Sequence, residues 1–411
     1  MSLPADGGGG ALSGIRVLDL TRVIAGPLAT QILGDLGADV AKVERPYEGD
    51  DVRRTGPPWA RQAAPGAEPV STYFLAVNRN KRSLAIDFTA PAGAELVRRL
   101  ALTADVLMEN FRPGSLDRYG LGAAAIRAAN PRLIYCSVSG FGQTGPYASR
   151  SGYDYLAQAM SGVMGVNGPA GGEPTRLGIP IADICAGHYA AMGVLAALNH
   201  RAATGFGQVV DISLFESQIA VLLNAFSGWF NGGVELGRTG NEHPSAAPYG
   251  VFDVDDGQIL IATFSDREFV RLADALGHPE WNADPRFATN GARVANRDAL
   301  RTAMDAVLKG GSRADWIARL TEATVSCGPI NGVNDLASDP QVSFRGGIVE
   351  MQHPVTGAIK SAVSPLRLSE TPPSYRSPPP EVGDHTDEVL REWLNLEGEA
   401  IAALKQEGAF G

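Results

Sequence analysis

One carboxylate stands apart from the other acidic residues because nearly all of its neighbours are apolar. Asp183 lies in the segment Gly178–Gly187, where an apolar stretch meets a run rich in small residues. We expect a helix to begin there, and the N-terminus of a helix stabilises an anion. Asp183 could therefore stay ionised with little water around it and act as a nucleophile. The alternative is a helix N-cap, whose side chain only satisfies free backbone N–H groups.

Basic residues in the first third of the chain could bind a phosphorylated ligand. Arg45 follows a predicted strand, at the position where ligands of α/β sheets bind. Lys81 lies in the segment Asn78–Ser83, and Arg118 follows the segment Asn110–Gly114. A cluster of such residues suits phosphate groups, whereas the alternative for each of them is a solvated surface charge.

Other kinds of site are not predicted. Gly140–Gly145 matches G-x-G-x-x-G, but Pro146 and the loop after it do not open the helix that a dinucleotide site needs, so we predict a glycine turn. The six histidines are at least twelve residues apart, and we therefore expect no metal site. The chain also lacks G-x-S-x-G and a P-loop.

The composition excludes further classes of protein. The chain has 35 Lys and Arg against 45 Asp and Glu residues, so neither nucleic acid nor an anionic membrane would attract it as a whole. Its longest apolar run, Tyr189–Leu198, is too short for a membrane span. The three cysteines are widely separated, which is typical of a reduced compartment. We expect a cytoplasmic protein with no nucleic-acid or membrane partner.

The order of the elements predicts an α/β fold. Between Ile15 and Ser137, short β-rich runs alternate with helical runs, which is typical of a parallel sheet. Small residues over Ile184–Ala203 predict a tightly packed helix. We place a linker near Gly232–Pro248, followed by a small α+β unit. The first predicted strands are Arg16–Thr21, Val40–Glu44, Asp105–Glu109 and Leu133–Ser137.

The chain from Leu12 to Leu394 resembles the class III CoA-transferases, the family of formyl-CoA transferase and carnitine CoA-transferase. Several independent motifs in the same order carry this resemblance. They are Gly14–Pro27, Leu36–Arg45, Asn78–Ser83, Glu109–Gly114, Gly140–Pro146 and the Asp183 segment.

The resemblance implies a Rossmann-like large domain formed by both ends of the chain, a small α+β domain between them, and an interlocked homodimer. We expect a flexible tail over residues 1–11 and the first part of the large domain over 12–225. Residues 226–326 would form the linker and the small domain, and residues 327–411 would return to the large domain and end in a C-terminal helix.

The resemblance also implies the chemistry. Asp183 would attack the thioester of a CoA donor, and the reaction would pass through mixed anhydrides and an aspartyl-CoA thioester. Coenzyme A would be bound as donor and product thioester, without a metal. The implied contacts with CoA are Val23, Ala25, Arg45, Lys81, Asn110, Phe111 and Arg118.

Departures from the family bear on the substrate. Ile24 stands where formyl-CoA transferase has a glutamine, and residues 242–250 lack its run of four glycines, so formate and oxalate are poor candidates. The closest likeness is to transferases between succinyl-CoA and a dicarboxylate such as glutarate. The distal carboxylate of such an acid would need a basic partner, for which Arg53, Arg54, Arg79 and His243 are candidates.

The alternative function is that of an α-methylacyl-CoA racemase, which shares the scaffold. Those enzymes carry a histidine next to an aspartate where this chain has Tyr153 and Asp154. A tyrosine is a poor proton acceptor at neutral pH, which disfavours racemisation. Asp154 could orient groups beside Asp183, or it could only cap a helix. Ile24, Tyr153 and Asp154 are thus the candidates for the substrate pocket.

Overall fold

A computed structural model describes residues 9–61 and 69–410 of the chain. The predicted tail therefore lies outside the described residues, except for residues 9–11. The chain divides into two compact units. The first comprises the described parts of Met1–Val163, Leu177–Leu223 and Phe344–Gly411, and the second comprises Met164–Arg176 and Asn224–Ser343.

A six-stranded parallel sheet forms the centre of the first unit, with the strand order β3-β2-β1-β4-β5-β6. Its strands are β1 (Arg16–Asp19), β2 (Asp39–Glu44), β3 (Lys81–Ala85), β4 (Val106–Glu109), β5 (Ile134–Ser139) and β6 (Val209–Ser213). The first-unit strands named in the sequence analysis lie within two residues of β1, β2, β4 and β5 at each end. This confirms the predicted α/β fold with a parallel sheet. β3 is not among the predicted strands, because it begins with the charged residues Lys81 and Arg82 and so lacks the apolar pattern of a buried strand.

Helices cover both faces of this sheet, and nearly all residues of its four central strands are buried. Alternate residues point to opposite faces, so that Leu18 and Leu107 join one apolar cluster while Val17 and Val106 join another. The helices of the chain are α1 (Ala25–Asp35), α2 (Thr72–Val77), α3 (Pro91–Thr103), α4 (Ala123–Ala129), α5 (Asp154–Ser161), α6 (Val163–Val166), α7 (Ile181–Thr204), α8 (Leu214–Val221), α9 (Leu223–Gly232), α10 (Asp266–Leu276), α11 (Asn290–Ala295), α12 (Arg297–Leu308), α13 (Arg313–Glu322), α14 (Pro340–Phe344), α15 (Thr386–Leu394) and α16 (Gly398–Gln406).

The predicted small-residue helix is α7, and it packs closely against α1. A Cβ atom on Gly187 would lie 2.7 Å from the carbonyl oxygen of Ala25, a distance that real Cβ atoms do not adopt. Within the described residues, α7 is also the one helix that is long and apolar enough to cross a membrane by length and composition alone. Its buried residues, such as Ala186 and Ala190, belong instead to the core beneath the sheet.

The second unit contains a three-stranded antiparallel sheet. β7 (Tyr249–Val254) and β8 (Gly257–Ala262) form a hairpin that turns at Asp255 and Asp256, and β9 (Ser326–Pro329) pairs with β8. The predicted return to the large domain at residue 327 is therefore too early, because pairing with β8 keeps β9 in the second unit. A further hairpin, β10 (Ile348–His353) and β11 (Gly357–Ala362), belongs to the first unit.

Two buried ion pairs stabilise the carboxyl edge of the large sheet. Lys42 Nζ lies 2.9 Å from Asp50 and donates to the carbonyl of Thr21. Lys81 Nζ lies 3.2 Å from Asp19 and donates to the carbonyl of Pro27. All four charged side chains are buried. Burial alone would raise the pKa of Asp19, but the two lysines and neighbouring hydroxyl groups lower it to about 2. These pairs fix the backbone of the loop between β1 and α1.

We expect Lys81→Met to lower the free energy of unfolding by about 3 kcal/mol, because it leaves Asp19 without its buried partner. Urea denaturation measures this difference. Arg98→Met is the matched control, since the pair between Arg98 and Glu95 is exposed and should contribute little. Unchanged stability combined with a weaker affinity for CoA would instead support the contact with CoA that was expected for Lys81.

Candidate active site

Two adjoining cavities open at the carboxyl edge of the large sheet, both within the first unit. The first has a volume of about 390 Å³ and the second a volume of about 330 Å³. The loops that follow β1 and β4 line both cavities, the loop after β3 lines the first, the loop after β5 lines the second, and the loop after β2 contributes to both. Arg22, Phe111 and Arg112 line both cavities, which places these residues at the junction. A single extended ligand can therefore occupy both cavities.

The first cavity combines cationic and aromatic groups. The guanidinium groups come from Arg22, Arg45, Arg112 and Arg118, and the aromatic rings from Phe88, Phe111 and Tyr119. Arg45 forms ion pairs with Asp51 and Glu48 at the protein surface. Arginines recognise phosphate groups, and aromatic rings stack with purine bases. This cavity can hold a phosphorylated nucleotide.

The second cavity contains the Asp183 carboxylate. Asp183 is the third residue of α7 and half-buried, whereas Pro180 occupies the N-cap position. The N-cap alternative for Asp183 is therefore wrong, because α7 begins three residues earlier than the predicted helix. Burial and the nearby charge of Asp154 raise the pKa of Asp183 to about 7. Its carboxyl can thus exist in either protonation state near neutral pH.

Asp154 lies behind Asp183, at the first residue of α5. It is buried and lines neither cavity. Its Oδ1 accepts a hydrogen bond of 2.7 Å from the backbone N–H of Ala182, the residue before Asp183. Asp154 therefore bonds to the first turn of α7, and it does not face the substrate space directly as the sequence interpretation suggested.

The loop after β1 is held in an unusual conformation beside Asp183. Val23 has a φ of 72°, which is strained for a β-branched residue. Its N–H donates to Asp50, and the backbone of Arg22 forms two hydrogen bonds with the side chain of Asn110. Because Asp50 is itself bound by Lys42, the loop is anchored to the buried ion pair. Val23 and Ala25 form part of the wall of the Asp183 cavity.

Comparison with known proteins identifies the family. The model of CoA-transferase family III matches residues 12–386. The chain belongs to CoA-transferase family III. It is 42% identical over 386 residues to a succinate–glutarate CoA-transferase of Agrobacterium fabrum, covering 94% of this chain and 96% of that one. It is 41% identical over 399 residues to the succinyl-CoA:glutarate CoA-transferase of Mus musculus, covering 97% and 90%.

Solved structures show the same fold. A CAIB/BAIF family protein from Brucella suis superimposes with a TM-score of 0.84 at 42% identity, covering 94% of this chain and all of that one. The Rv3272 protein of Mycobacterium tuberculosis superimposes with a TM-score of 0.81 at 30% identity, covering 92% and 99%. The family resemblance drawn from the motifs is thus confirmed.

In this family III CoA-transferase, most of the expected site residues come together at the two cavities. Arg45 and Arg118 line the first cavity, Val23, Ala25, Asn110, Tyr153 and Asp183 line the second, and Phe111 lines both. Lys81 and Ile24 line neither. Lys81 is buried in its pair with Asp19, and Ile24 is the half-buried N-cap residue of α1.

The candidates for binding a distal carboxylate lie outside the Asp183 cavity. Arg53 binds Glu44, Arg54 lies 3.2 Å from Glu48, and the buried Arg79 binds Asp35. His243 belongs to the second unit. All three arginines therefore already have a carboxylate partner within the first unit.

Sequence reasoning missed the arginines that do line the Asp183 cavity, which are Arg22, Arg112 and Arg150. Arg112 lies within a motif that carried the family resemblance, and Arg150 lies shortly before the candidate pocket residue Tyr153. This closeness in sequence to other candidate residues could have pointed to both arginines. Arg150 packs over the rings of Phe141 and Tyr147. In the described part of the chain, no carboxylate pairs with it. Nor do the described residues contain a cluster that could hold a metal ion.

The carboxyl of Asp183 should titrate near pH 7, because burial and the charge of Asp154 both disfavour its ionised form. Carbon-13 NMR of protein labelled at aspartate carboxyl groups measures this titration. The corresponding signal should be missing from Asp183→Asn. A spectrum in which the Asp183 signal titrates in the ordinary acidic range would contradict this assignment.

Proposed function

We propose that this enzyme transfers CoA from succinyl-CoA to a dicarboxylic acid such as glutarate. The observation that carries the proposal is the Asp183 carboxylate in a cavity that adjoins an arginine-rich and aromatic one. The nucleotide part of CoA would occupy the first cavity, with Arg45, Arg112 and Arg118 near its phosphates. The thioester would then reach Asp183 past Phe111 at the junction. The names of the relatives support the choice of donor and acceptor.

Asp183 would act as the nucleophile of a double exchange. Its carboxylate attacks the succinyl thioester, which gives a succinyl-aspartyl anhydride and the CoA thiolate. The thiolate attacks the aspartyl carbonyl and releases succinate, which leaves an aspartyl-CoA thioester. The acceptor carboxylate then displaces the thiolate to form a second anhydride. Attack of the thiolate on the acceptor carbonyl finally gives the new thioester and restores Asp183.

The surroundings of Asp183 suit this sequence of steps. A pKa near 7 leaves a carboxylate available at neutral pH and keeps it more nucleophilic than an ordinary, more acidic aspartate. The apolar part of the wall, with Val23, Ala25 and Leu214, limits the access of water to the anhydrides. Tyr153 lines the same cavity and is a candidate contact for the acyl group.

We also propose that the enzyme works as a homodimer in the cytoplasm, with the two protomers interlocked. Exposed apolar side chains support the association of two copies, because monomers seldom expose many large apolar groups. Tyr189 and Met192 lie exposed on α7, and Phe226, Trp229 and Phe230 lie exposed on α9. The cytoplasmic location stays a prediction from the composition.

Replacement of Asp183 tests the proposed reaction. Asp183→Asn should lower kcat for glutaryl-CoA formation from succinyl-CoA and glutarate by at least about 10³-fold, because no covalent intermediate can form. Mass spectrometry of the CoA esters measures the product. Asp298→Asn, at an exposed carboxylate of the second unit, is the control and should keep the full rate. Hydroxylamine should trap the activated aspartyl group at Asp183 in the unmodified enzyme.

An Asp183→Asn enzyme that exchanges CoA at the normal rate would refute the proposed reaction. A separate assay tests the racemase alternative. A racemase would incorporate deuterium at the α-carbon of a 2-methylacyl-CoA in heavy water without an acceptor acid. No histidine lines the Asp183 cavity among the described residues. We therefore expect the α-proton to be retained.

Arg150 is the arginine best placed to recognise the distal carboxylate of the acceptor. Arg22 and Arg112 also line the first cavity, where phosphates would compete for them, whereas Arg150 lines the Asp183 cavity alone. We expect Arg150→Gln to raise KM for glutarate about tenfold or more, because a charge-assisted hydrogen bond is lost. KM for succinyl-CoA, whose CoA portion supplies most contacts, should change less.

Steady-state kinetics with glutarate and pentanoate measure this specificity. Arg98→Gln, on the exposed surface of α3, is the matched control and should leave both values unchanged. If Arg150→Gln weakens the dicarboxylate and the monocarboxylate equally, Arg150 does not recognise the distal group.

A further inference from the structure

A buried chain of hydrogen bonds lies behind Asp183 and takes no part in the proposed reaction steps. Gln158 is fully buried on α5. Its Nε2 donates a hydrogen bond of 2.6 Å to Oδ2 of Asp154, and its Oε1 accepts one of 2.9 Å from the backbone N–H of Leu177. Oδ1 of Asp154 accepts from the N–H of Ala182. Both polar ends of each side chain are thus used.

We propose that Gln158 is a positioning residue of the transfer reaction: it holds the Asp154 carboxylate against the first turn of α7 and thereby sets the orientation and charge environment of Asp183. The proposal rests on the proposed function of Asp183 as the nucleophile. Gln158 does not touch the substrate space, since it lines neither cavity. It acts through Asp154.

The geometry accounts for the choice of glutamine. Residues 154 and 158 are one helical turn apart and lie on the same face of α5. The side chain at 158 must donate to a carboxylate and accept from an N–H at the same time. A glutamine amide has both groups at the required length, whereas an ionised glutamate could not donate and leucine could do neither.

Gln158 and Asp154 each accept a hydrogen bond from the backbone of the segment that leads into α7, and these two bonds fix its position. Leu177 is bound by Gln158 and Ala182 by Asp154, so both ends of the segment Leu177–Ala182 are attached to α5. Asp183 follows directly. If the attachment at Asp154 loosens, the Asp183 carboxylate is displaced relative to the thioester, and small displacements of a reacting group are costly in rate.

The same pair controls the charge beside Asp183. Hydrogen bonds from the Gln158 amide and the Ala182 N–H fix the position of the Asp154 carboxylate, and the charge of Asp154 contributes to the raised pKa of Asp183. The charged and titratable groups that line the Asp183 cavity are Arg22, Asp51, Arg112, Arg150 and Tyr153. On α7, Cys185 also responds to the charge of Asp154, and on α8, Glu216 is bound to Ser213. None of these groups bonds to Gln158 in the described structure.

The test compares Gln158→Leu, Gln158→Met and Gln158→Glu in succinyl-CoA:glutarate exchange. For each variant we expect kcat to fall about tenfold or more, with KM for succinyl-CoA near its normal value. Gln158→Leu and Gln158→Met remove the amide that holds the Asp154 carboxylate in place, so its charge is no longer fixed beside Asp183. The acid limb of the kcat/KM profile should therefore shift to lower pH. Asp154→Asn should shift this limb in the same direction.

A double-mutant cycle distinguishes positioning from general stability. Because Gln158 acts through Asp154, adding Gln158→Leu to Asp154→Asn should produce almost no further shift of the pH profile. Gln31→Leu is the matched control. It removes a buried glutamine on α1 whose hydrogen bonds go to Ala76 and Arg79, and the pH profile should not move.

The inference is overturned if the Gln158 variants keep the normal pH profile and lose rate only in proportion to unfolded protein, as judged by circular dichroism. Additive shifts in the double mutant would also overturn it. If Asp183→Asn is inactive while the Gln158 variants behave like the unmodified enzyme, only this inference fails. If Asp183→Asn retains full activity, the proposed function fails, whatever the Gln158 variants show.

Discussion

The close packing of α7 on α1 is the constraint on which the active site depends. Gly187 allows the two helix backbones to approach so closely that a methyl group would collide with the carbonyl of Ala25. This contact lies only four residues after Asp183, and Ala25 itself is a wall residue of the Asp183 cavity. The distance between the carboxylate and the loop after β1 is therefore set by helix packing. A larger residue at position 187 would move both walls at once.

The buried lysines and the exposed arginines near the cavities have different structural roles. Lys42 and Lys81 are enclosed, and their partners Asp50 and Asp19 lie at the ends of the segments that carry the loops. They anchor the loop that contains the strained Val23. Lys42 and Asp50 also line the first cavity, whereas Lys81 and Asp19 line neither cavity. Arg22 and Arg150 line the cavities, keep part of their surface exposed, and pack over the rings of Phe111 and Phe141, respectively. Stacking on a ring orients a guanidinium while its N–H groups remain available for a ligand.

The carboxyl groups near the site also differ from one another in their pKa values. Asp183 has a pKa near 7 because it is partly buried and has a like charge next to it, whereas Asp19 has a pKa near 2 because cations surround it. Glu109, buried at the end of β4, has a pKa raised to about 7 mainly by burial, and it accepts the N–H of Phe111. One edge of a single sheet thus contains acidic groups that differ widely in acidity, and the environment of each decides its role.

The sequence alone determined the family and the parallel α/β sheet, and it singled out Asp183, which lines the second cavity. These features depend on local patterns: alternating β and helical runs, a small-residue helix, and motifs that keep their order along the chain. It also indicated Arg45 and Arg118 as basic residues that could bind a phosphorylated ligand, and the family resemblance implied Phe111; all three line the first cavity. Only the tertiary structure decided which cations line the cavities. Lys81 and Arg150 are both basic residues in loop or strand positions, but Lys81 is enclosed beside Asp19 while Arg150 lines the cavity. The hydrogen bonds that join Gln158 and Asp154 of α5 to Leu177 and Ala182 likewise depend on how α5 packs beside the start of α7, since they connect residues 19 and 28 positions apart in the sequence.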